Sequence, residues 1–135
     1  MTEEQRMVRE FHERVGGEVN DRPTWCGSDV HRLRVALIEE ELSEFRNAGE
    51  AQDPVEIADA LADLLYVVYG AGVTYGIDLD PVFREIHRSN MSKCDPVVVR
   101  RPDGKILKGP NYQPPDVRSV VETLARGNDA AVATG

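Results

Sequence analysis

Aromatic side chains, paired cysteines and long apolar runs are all scarce in this chain of 135 residues. Aromatic residues make up 6% and hydrophobic residues 41%, which predicts one globular domain with a mainly aliphatic core. No run approaches the ~20 apolar residues of a membrane span, and the opening MTEEQRMVRE has no signal-peptide core. Cys26 and Cys94 form no CxxC pair. We therefore expect a cytoplasmic protein with reduced thiols and no membrane partner.

Basic residues are outnumbered, because 16 Lys and Arg against 24 Asp and Glu give a formal net charge of −8 at pH 7. This balance argues against nucleic acid as a partner. The bases are nevertheless concentrated, since seven of them lie between Arg84 and Lys108 against three acids. An acidic part and a cationic part in one chain suit a metal-bound polyphosphate as ligand.

Two acidic clusters, LIEEELSEF and VEIADALADLLYVVYG, are each set into an apolar segment with helical periodicity. Their carboxylates are those of Glu40, Glu41, Glu44, Glu56, Asp59 and Asp63. A solvated acidic face is the alternative interpretation. We favour a metal site, because Asp59 and Asp63 occupy helix-interior positions where Asp is a poor helix former. Carboxylates in apolar surroundings are costly unless paired or bound to a cation, and an all-oxygen site suits Mg²⁺ or Mn²⁺.

Capping and turn signals predict an all-α bundle of four to five helices with a small C-terminal hairpin. Thr2 with Gln5 resembles a capping box, and Asp53-Pro54 opens the third helix. The predicted helices are 2–15, 29–48, 54–75, 80–92 and 116–126, and the predicted hairpin pairs 97–100 with 105–108. We expect one domain over 1–126 and a flexible tail over 127–135. The third helix is apolar nearly all round, which predicts a homodimer.

Three stretches resemble a known superfamily: RLRVALIEEELSEF, EIADALADLLYVVYGAGVTYGIDLDPVFREIHRSNMSK and GKILKGPNYQPPD. They are similar to the all-α NTP pyrophosphohydrolases, and most closely to the MazG-like branch related to dimeric dUTPases, over roughly residues 32–116. The resemblance implies hydrolysis of nucleoside triphosphates to monophosphate and pyrophosphate with Mg²⁺ or Mn²⁺. It also implies a role in sanitising the nucleotide pool, with dUTP or another pyrimidine deoxynucleotide as substrate.

The same resemblance implies the roles of the acidic residues. Glu41 and Glu44 match the family's E-x-x-E pair, and Asp63 matches the Asp of its E-x-x-D pair. Glu40 matches the acid before the first pair, as a ligand or as the base that orients water. The implied catalytic residues are Glu40, Glu41, Glu44 and Asp63, and the implied metal ligands are these four with Asp59.

One position departs from the family pattern, because Ala60 stands where the second pair has its Glu. Asp59 lies one turn before Asp63 on the same face and is our choice for the replacement. Glu56 fits a literal E-x-x-D with Asp59 and remains the alternative.

Substrate contacts are implied for residues outside the acidic clusters, namely Tyr66, Asn90, Lys93, Lys108, Asn111 and Tyr112. Asn90 and Lys93 match the family's N-x-x-K, although a lysine is favourable at a helix C-terminus in any case. The loop carrying Lys108 has a structural role as its alternative, and Tyr66 has core packing. An aliphatic wall near Tyr66 and Gly70 would disfavour a ribose 2′-hydroxyl.

Two other functions remain open at this point. One is hydrolysis of phosphoribosyl-ATP, which uses the same kind of helical metal site. The other is a helical dimer that binds a nucleotide or a partner protein without turnover. This hypothesis stays open because Ala60 stands where the family has a Glu.

Overall fold

The computed structural model describes the backbone of residues 1–133 and the side chains of residues 1–127. Over these residues the chain is mostly helical with one two-stranded antiparallel hairpin, which confirms the predicted all-α class. The elements are α1 (Glu3–Val15), α2 (Ser28–Ala51), α3 (Pro54–Tyr75), α4 (Leu79–Ser92), β1 (Val99–Arg100), β2 (Ile106–Leu107) and α5 (Val117–Ala133). They divide into two compact units, residues 1–79 and residues 80 onwards, each described by itself.

Local signals set the ends of α1 and α3 in the first unit. The Thr2 hydroxyl accepts a hydrogen bond from the Gln5 backbone N–H at 3.2 Å, and the Asp53 carboxylate accepts one from Val55 at 3.0 Å. Gly76 ends α3 at φ +69°, and a Cβ there would lie 2.1 Å from the Arg22 carbonyl oxygen. Glycine is therefore required at this position for both conformation and space.

The predicted end of α2 at Gly49 is wrong. The helix continues through Gly49 to Ala51, and Gln52 takes the left-handed conformation instead, at φ +55°. The backbone N–H of Gln52 donates to the Gly49 carbonyl at 3.2 Å. A glycine permits a helix end without imposing one, which explains the error.

Packing in the first unit centres on α3, which lies against both α1 and α2. The pairs Glu41 with Asp63 and Arg34 with Gly70 lie close together, so α2 and α3 run antiparallel. The buried apolar residues of the described chain are small or β-branched: Val8, Ala48, Ala60 and Val73. Among the described helices α3 is long and apolar enough to cross a membrane by length and composition only, a criterion that the core helix of a soluble protein also meets.

The second unit is held together by α4. The Ser89 hydroxyl donates to the Gln113 carbonyl at 2.8 Å, and the Ser92 hydroxyl accepts from the Gln113 backbone N–H at 2.8 Å. Glu85 accepts from the Asp116 N–H at 2.9 Å. The Pro-rich segment 109–116 is thereby fastened along α4, which keeps its side chains in a defined place.

The hairpin is the predicted one, shortened to two residues in each strand. Val99 pairs with Leu107 and Arg100 with Ile106, across a turn in which Gly104 has φ +88°. The Asp116 carboxylate caps α5 by accepting from the Ser119 N–H at 3.1 Å. Helical geometry is interrupted at Gly127, but α5 continues to Ala133, so the predicted helix end at residue 126 is wrong. The flexibility predicted for residues 127–135 stays a prediction.

Gln5 has a role that the capping-box interpretation missed. Its side chain is 1% exposed, and its amide donates to the Ile77 carbonyl at 2.7 Å and accepts from the Leu79 N–H at 3.0 Å. The Gln5 side chain thus bonds two backbone groups where α3 leads into α4, instead of capping its own helix.

We predict that Gln5→Leu lowers the free energy of unfolding by about 2–4 kcal/mol, because it leaves two partly buried backbone groups without their partners. Glu10→Leu, at an exposed position of the same helix, should stay within about 0.5 kcal/mol of the wild type. Urea unfolding followed by circular dichroism measures both. Equal effects of the two substitutions would contradict the bridging role of Gln5.

Candidate metal centre

Three carboxylates converge where α2 crosses α3. Glu41 and Glu44 project from α2 and Asp63 from α3, and one oxygen from each lies within 4.8 Å of the other two. Glu41 and Asp63 are half-buried, whereas Glu44 is exposed. The i, i+3 spacing of the two glutamates places them on one helical face, and the antiparallel packing supplies the third acid. The structure therefore brings together three of the predicted ligands.

Glu41 is the most perturbed member of this trio. Its Oε2 atom is buried and has no hydrogen-bond partner among the described residues. Loss of water raises the pKa of Glu41, and the neighbouring Glu44, Asp63 and Glu40 raise it further. An orphaned carboxylate oxygen among other carboxylates needs a proton or a cation.

The donor set fits a hard divalent cation. All three groups are carboxylates, the oxygen ligands that Mg²⁺ and Mn²⁺ prefer, and the short distances between them allow one ion to contact all three. The partly exposed position leaves ligand positions for water or phosphate. The arrangement thus meets the chemical requirement of a catalytic magnesium site, which needs open coordination positions.

Glu40 and Asp59, the other two predicted ligands, lie outside the trio. Both side chains are exposed, and Glu40 acts on the trio through its charge on Glu41. Glu56 is exposed as well, and Ala60 is only 3% exposed. Ligation by Glu40 and by Asp59 or Glu56 therefore stays a prediction.

Tyr66 lies on α3 one turn beyond Asp63. Its ring makes an edge contact with Phe11 of α1, with centroids 5.8 Å apart, and the residue is 41% exposed. Stacking on a base stays a prediction, since one part of the ring already packs on α1. A Cβ at Gly70 would meet His12 and Arg34, which are polar, and the aliphatic wall expected near Tyr66 and Gly70 stays a prediction.

The second unit brings together most of the other predicted substrate contacts. The Lys93 and Lys108 ammonium groups lie 6.0 Å and 5.0 Å from the centre of the Tyr112 ring. Asn111 and Tyr112 line an open cavity of about 620 Å³. Asn90 is exposed in the last turn of α4, where its carbonyl accepts from the Lys93 N–H.

Sequence reasoning missed the other residues that line this cavity, which are Arg88, Ser92, Asp95 and Gln113. Arg88 is bound to Glu85 and also donates to the Gln113 side chain at 3.1 Å. This ion pair lowers the pKa of Glu85 to about 2. The i, i+4 spacing of Arg88 and Ser92 on α4 was the available signal, because it places both on one face.

The antiparallel helices and their carboxylate trio define a class: all-α proteins with a candidate site for a divalent cation between two helices. The chain belongs to the phosphoribosyl-ATP pyrophosphohydrolase (PRA-PH) family, whose sequence profile matches residues 8–90. That family is part of the all-α NTP pyrophosphohydrolase (MazG-like) superfamily, as the sequence resemblance predicted. Membership supports a nucleotide pyrophosphohydrolase activity in general, and the family is metal-dependent in general.

A second sequence similarity covers a shorter segment of the chain. An uncharacterized protein of Acanthamoeba polyphaga mimivirus is 49% identical over 49 residues. The aligned segment is 36% of this chain and 20% of the viral protein. The chain thus spans only a fifth of that relative, which carries no functional assignment in its name.

The raised pKa of Glu41 predicts a pH-dependent stability. A carboxyl group whose pKa is higher in the folded than in the unfolded chain favours folding while protonated. This contribution is lost as the pH rises from about 4.5, the ordinary value for glutamate, through the raised pKa. In chelator, Glu41→Gln should therefore gain thermal stability over the wild type as the pH rises toward 7.

Divalent cations should reverse this order. Mg²⁺ at about 100 times its Kd would stabilise the wild type by about 2.7 kcal/mol, but the variant much less. Scanning calorimetry in chelator and in Mg²⁺ measures both effects, with exposed Glu39→Gln as control. The same Mg²⁺ response in wild type and Glu41→Gln would remove Glu41 from the site.

Proposed function

We propose that this protein hydrolyses deoxynucleoside triphosphates to the monophosphate and pyrophosphate, with dUTP as the preferred substrate. The trio of Glu41, Glu44 and Asp63, with its orphaned Glu41 oxygen, is the observation that carries the proposal. Family membership supports the reaction type. The choice of a pyrimidine deoxynucleotide rests on the resemblance of residues 32–116 to the MazG-like, dUTPase-related branch.

The reaction requires water to attack the α-phosphorus while pyrophosphate leaves. A new P–O bond forms to the water oxygen, and the bond between the α-phosphorus and the α,β-bridging oxygen breaks. A bound Mg²⁺ or Mn²⁺ would neutralise phosphate charge and lower the pKa of the attacking water. Glu41, Glu44 and Asp63 would hold that ion, and Asp59 is the proposed fourth ligand.

Glu40 is the proposed base. Its side chain is exposed, and its charge acts on Glu41, which indicates that it lies near the trio and is open to water. A carboxylate that does not ligate the ion keeps its basicity and is able to accept the water proton. Glu40 would therefore orient the attacking water, while the other glutamates remain deprotonated as ligands.

The second unit, taken by itself, carries groups that suit an anionic ligand. Two lysines, Lys93 and Lys108, flank the Tyr112 ring, and the neighbouring Asn111 faces the open cavity. Ammonium groups and amide donors are suited to phosphate and sugar oxygens. We assign these residues, together with Asn90 and Tyr66, to substrate binding in a cytoplasmic enzyme that removes unwanted nucleotides.

Hydrolysis of phosphoribosyl-ATP is the second candidate, because the matching family profile carries that name. The two candidates share the acidic site and the bond that is broken, so the trio does not discriminate between them. An assay that offers the protein both compounds discriminates between the candidates.

We predict that dUTP yields dUMP and pyrophosphate only with Mg²⁺ or Mn²⁺. Glu41→Gln and Asp63→Asn should each lower kcat by about 10²–10³, since each removes a charge that holds the ion. Glu39→Gln is the matched control and should retain activity. Ion-exchange chromatography of reactions with dUTP, ATP and phosphoribosyl-ATP identifies products and rates.

The outcomes separate the parts of the proposal. A nucleoside diphosphate as first product would contradict the mechanism, and faster turnover of phosphoribosyl-ATP would transfer the assignment to the second candidate. No hydrolysis of any compound by the wild type would favour the binding-only alternative.

We further propose a homodimer formed by the apolar faces of α2 and α3. Large side chains on these helices are exposed in the single chain, among them Leu42 (42%), Leu61 (43%) and Leu65 (58%). Covering such residues stabilises association at about 25 cal/mol per Å² of apolar surface.

Light scattering at micromolar concentration should therefore give about twice the mass of 15.0 kDa. Leu65→Asp is expected to shift the protein toward monomer, because it places a charge in the apolar contact. Exposed Val15→Asp on α1 is the control and should leave the mass unchanged. A wild-type monomer would contradict the proposal.

A further inference from the structure

Arg34 is a cation whose position the acidic site does not explain. It lies on α2 seven residues before Glu41, which is two helical turns and about 10 Å along the same face. The residue is half-buried, and its Nε–H is buried without a hydrogen-bond partner among the described residues. The ion pairs of the described residues do not include it.

Gly70 makes room for the Arg34 side chain. A Cβ at this position would lie 3.2 Å from Arg34 Nη1 and 3.2 Å from His12 Nε2. Any larger residue on α3 would therefore press on both polar side chains. The guanidinium is thus accommodated between the helices at a site whose walls include His12, which is 7% exposed.

His12 does not neutralise the guanidinium. Its Nδ1 atom lies 3.2 Å from the Glu18 carbonyl oxygen, to which only a protonated nitrogen donates. The remaining ring nitrogen carries no negative charge in either protonation state. The Arg34 guanidinium is thus a partly desolvated cation without a carboxylate partner among the described residues, and such a group is suited to bind an anion.

Phosphate is the anion best matched to this place. A guanidinium donates two parallel hydrogen bonds to phosphate oxygens, and charge-assisted bonds of this kind are strong. The helix pair carries the carboxylate trio at one level and Arg34 with Gly70 two turns away. A cation bound by the trio would attract one part of a polyphosphate, and Arg34 would attract another.

We propose that Arg34 is a phosphate-binding residue for the nucleotide substrate, accommodated by Gly70 two helical turns from the carboxylate trio. The proposal rests on the proposed function for the identity of the substrate. It adds a cationic contact within the first unit, separate from the lysines of the second unit.

Inorganic triphosphate with Mg²⁺ is the probe, because it contains the phosphoryl groups without a base and requires no turnover. Calorimetric titration should show binding by Arg34→Met weakened about 10- to 100-fold, the loss expected for a charge-assisted contact. Arg34→Lys should retain part of the affinity, since it keeps the charge and loses the planar fork. Arg32→Gln is the control, because Arg32 is exposed on the same helix and paired with Asp29.

A second measurement separates this role from a structural one. Arg34→Met keeps an apolar stem and removes an unpartnered buried donor, so its Tm without ligand should equal or exceed that of the wild type. Weaker triphosphate binding with an undiminished Tm and unchanged Mn²⁺ affinity is the expected combination. Unchanged triphosphate affinity in Arg34→Met would overturn the proposal. If the dimer is lost in the same variant, Arg34 would be assigned to a subunit contact instead.

This test does not depend on which nucleotide is hydrolysed. If no triphosphate is turned over but inorganic triphosphate binding requires Arg34, the proposed function fails and the phosphate site stands. If dUTP is hydrolysed with unchanged KM in Arg34→Met, the proposed function stands and the phosphate site fails.

Discussion

Electrostatic repulsion among the carboxylates of Glu41, Glu44 and Asp63 is the main constraint on the contact between α2 and α3. The helices pack antiparallel along small or aliphatic residues such as Ala48 and Ala60, and this packing forces the three carboxylates together. The cost appears at Glu41, whose oxygen is buried without a partner and whose pKa is raised. A bound divalent cation would offset both the cost of the buried carboxylate and the repulsion among the three charges. The arrangement is unfavourable without an ion and is therefore a candidate binding site.

The clustered acidic groups and most of the clustered basic groups lie on different units of the chain. The first unit carries the acids on two long helices, where packing fixes their spacing. The second unit carries Lys93, Lys108 and Tyr112 on a helix end and a Pro-rich segment, which Ser89 and Ser92 hold to α4. Within the acidic unit, Arg34 supplies positive charge at one level of the α2–α3 pair. Metal-bound phosphate is a ligand that both kinds of group recognise.

Local features of the fold followed from sequence, whereas features set by contacts between distant residues did not. Asp53-Pro54 and Gly76 delimit α3 because caps act within one turn, and Asp103-Gly104 predicts the hairpin for the same reason. The trio was predictable because the helical periodicity and the family resemblance both select those three residues. The bridge made by Gln5 and the burial of the Arg34 guanidinium were not, because each depends on a residue about 36 or more positions away. The ligand that replaces the Glu absent at Ala60 depends on side-chain placement around an ion.

Anomalous scattering from crystals soaked in Mn²⁺ tests the metal centre most directly. The account predicts a manganese peak within coordination distance of Glu41, Glu44 and Asp63, with Asp59 oriented toward it either directly or through water. The same map would show whether Glu56 takes that place instead. A peak elsewhere on the chain, or none between α2 and α3 at saturating Mn²⁺, would contradict the assignment of these carboxylates as the catalytic metal site.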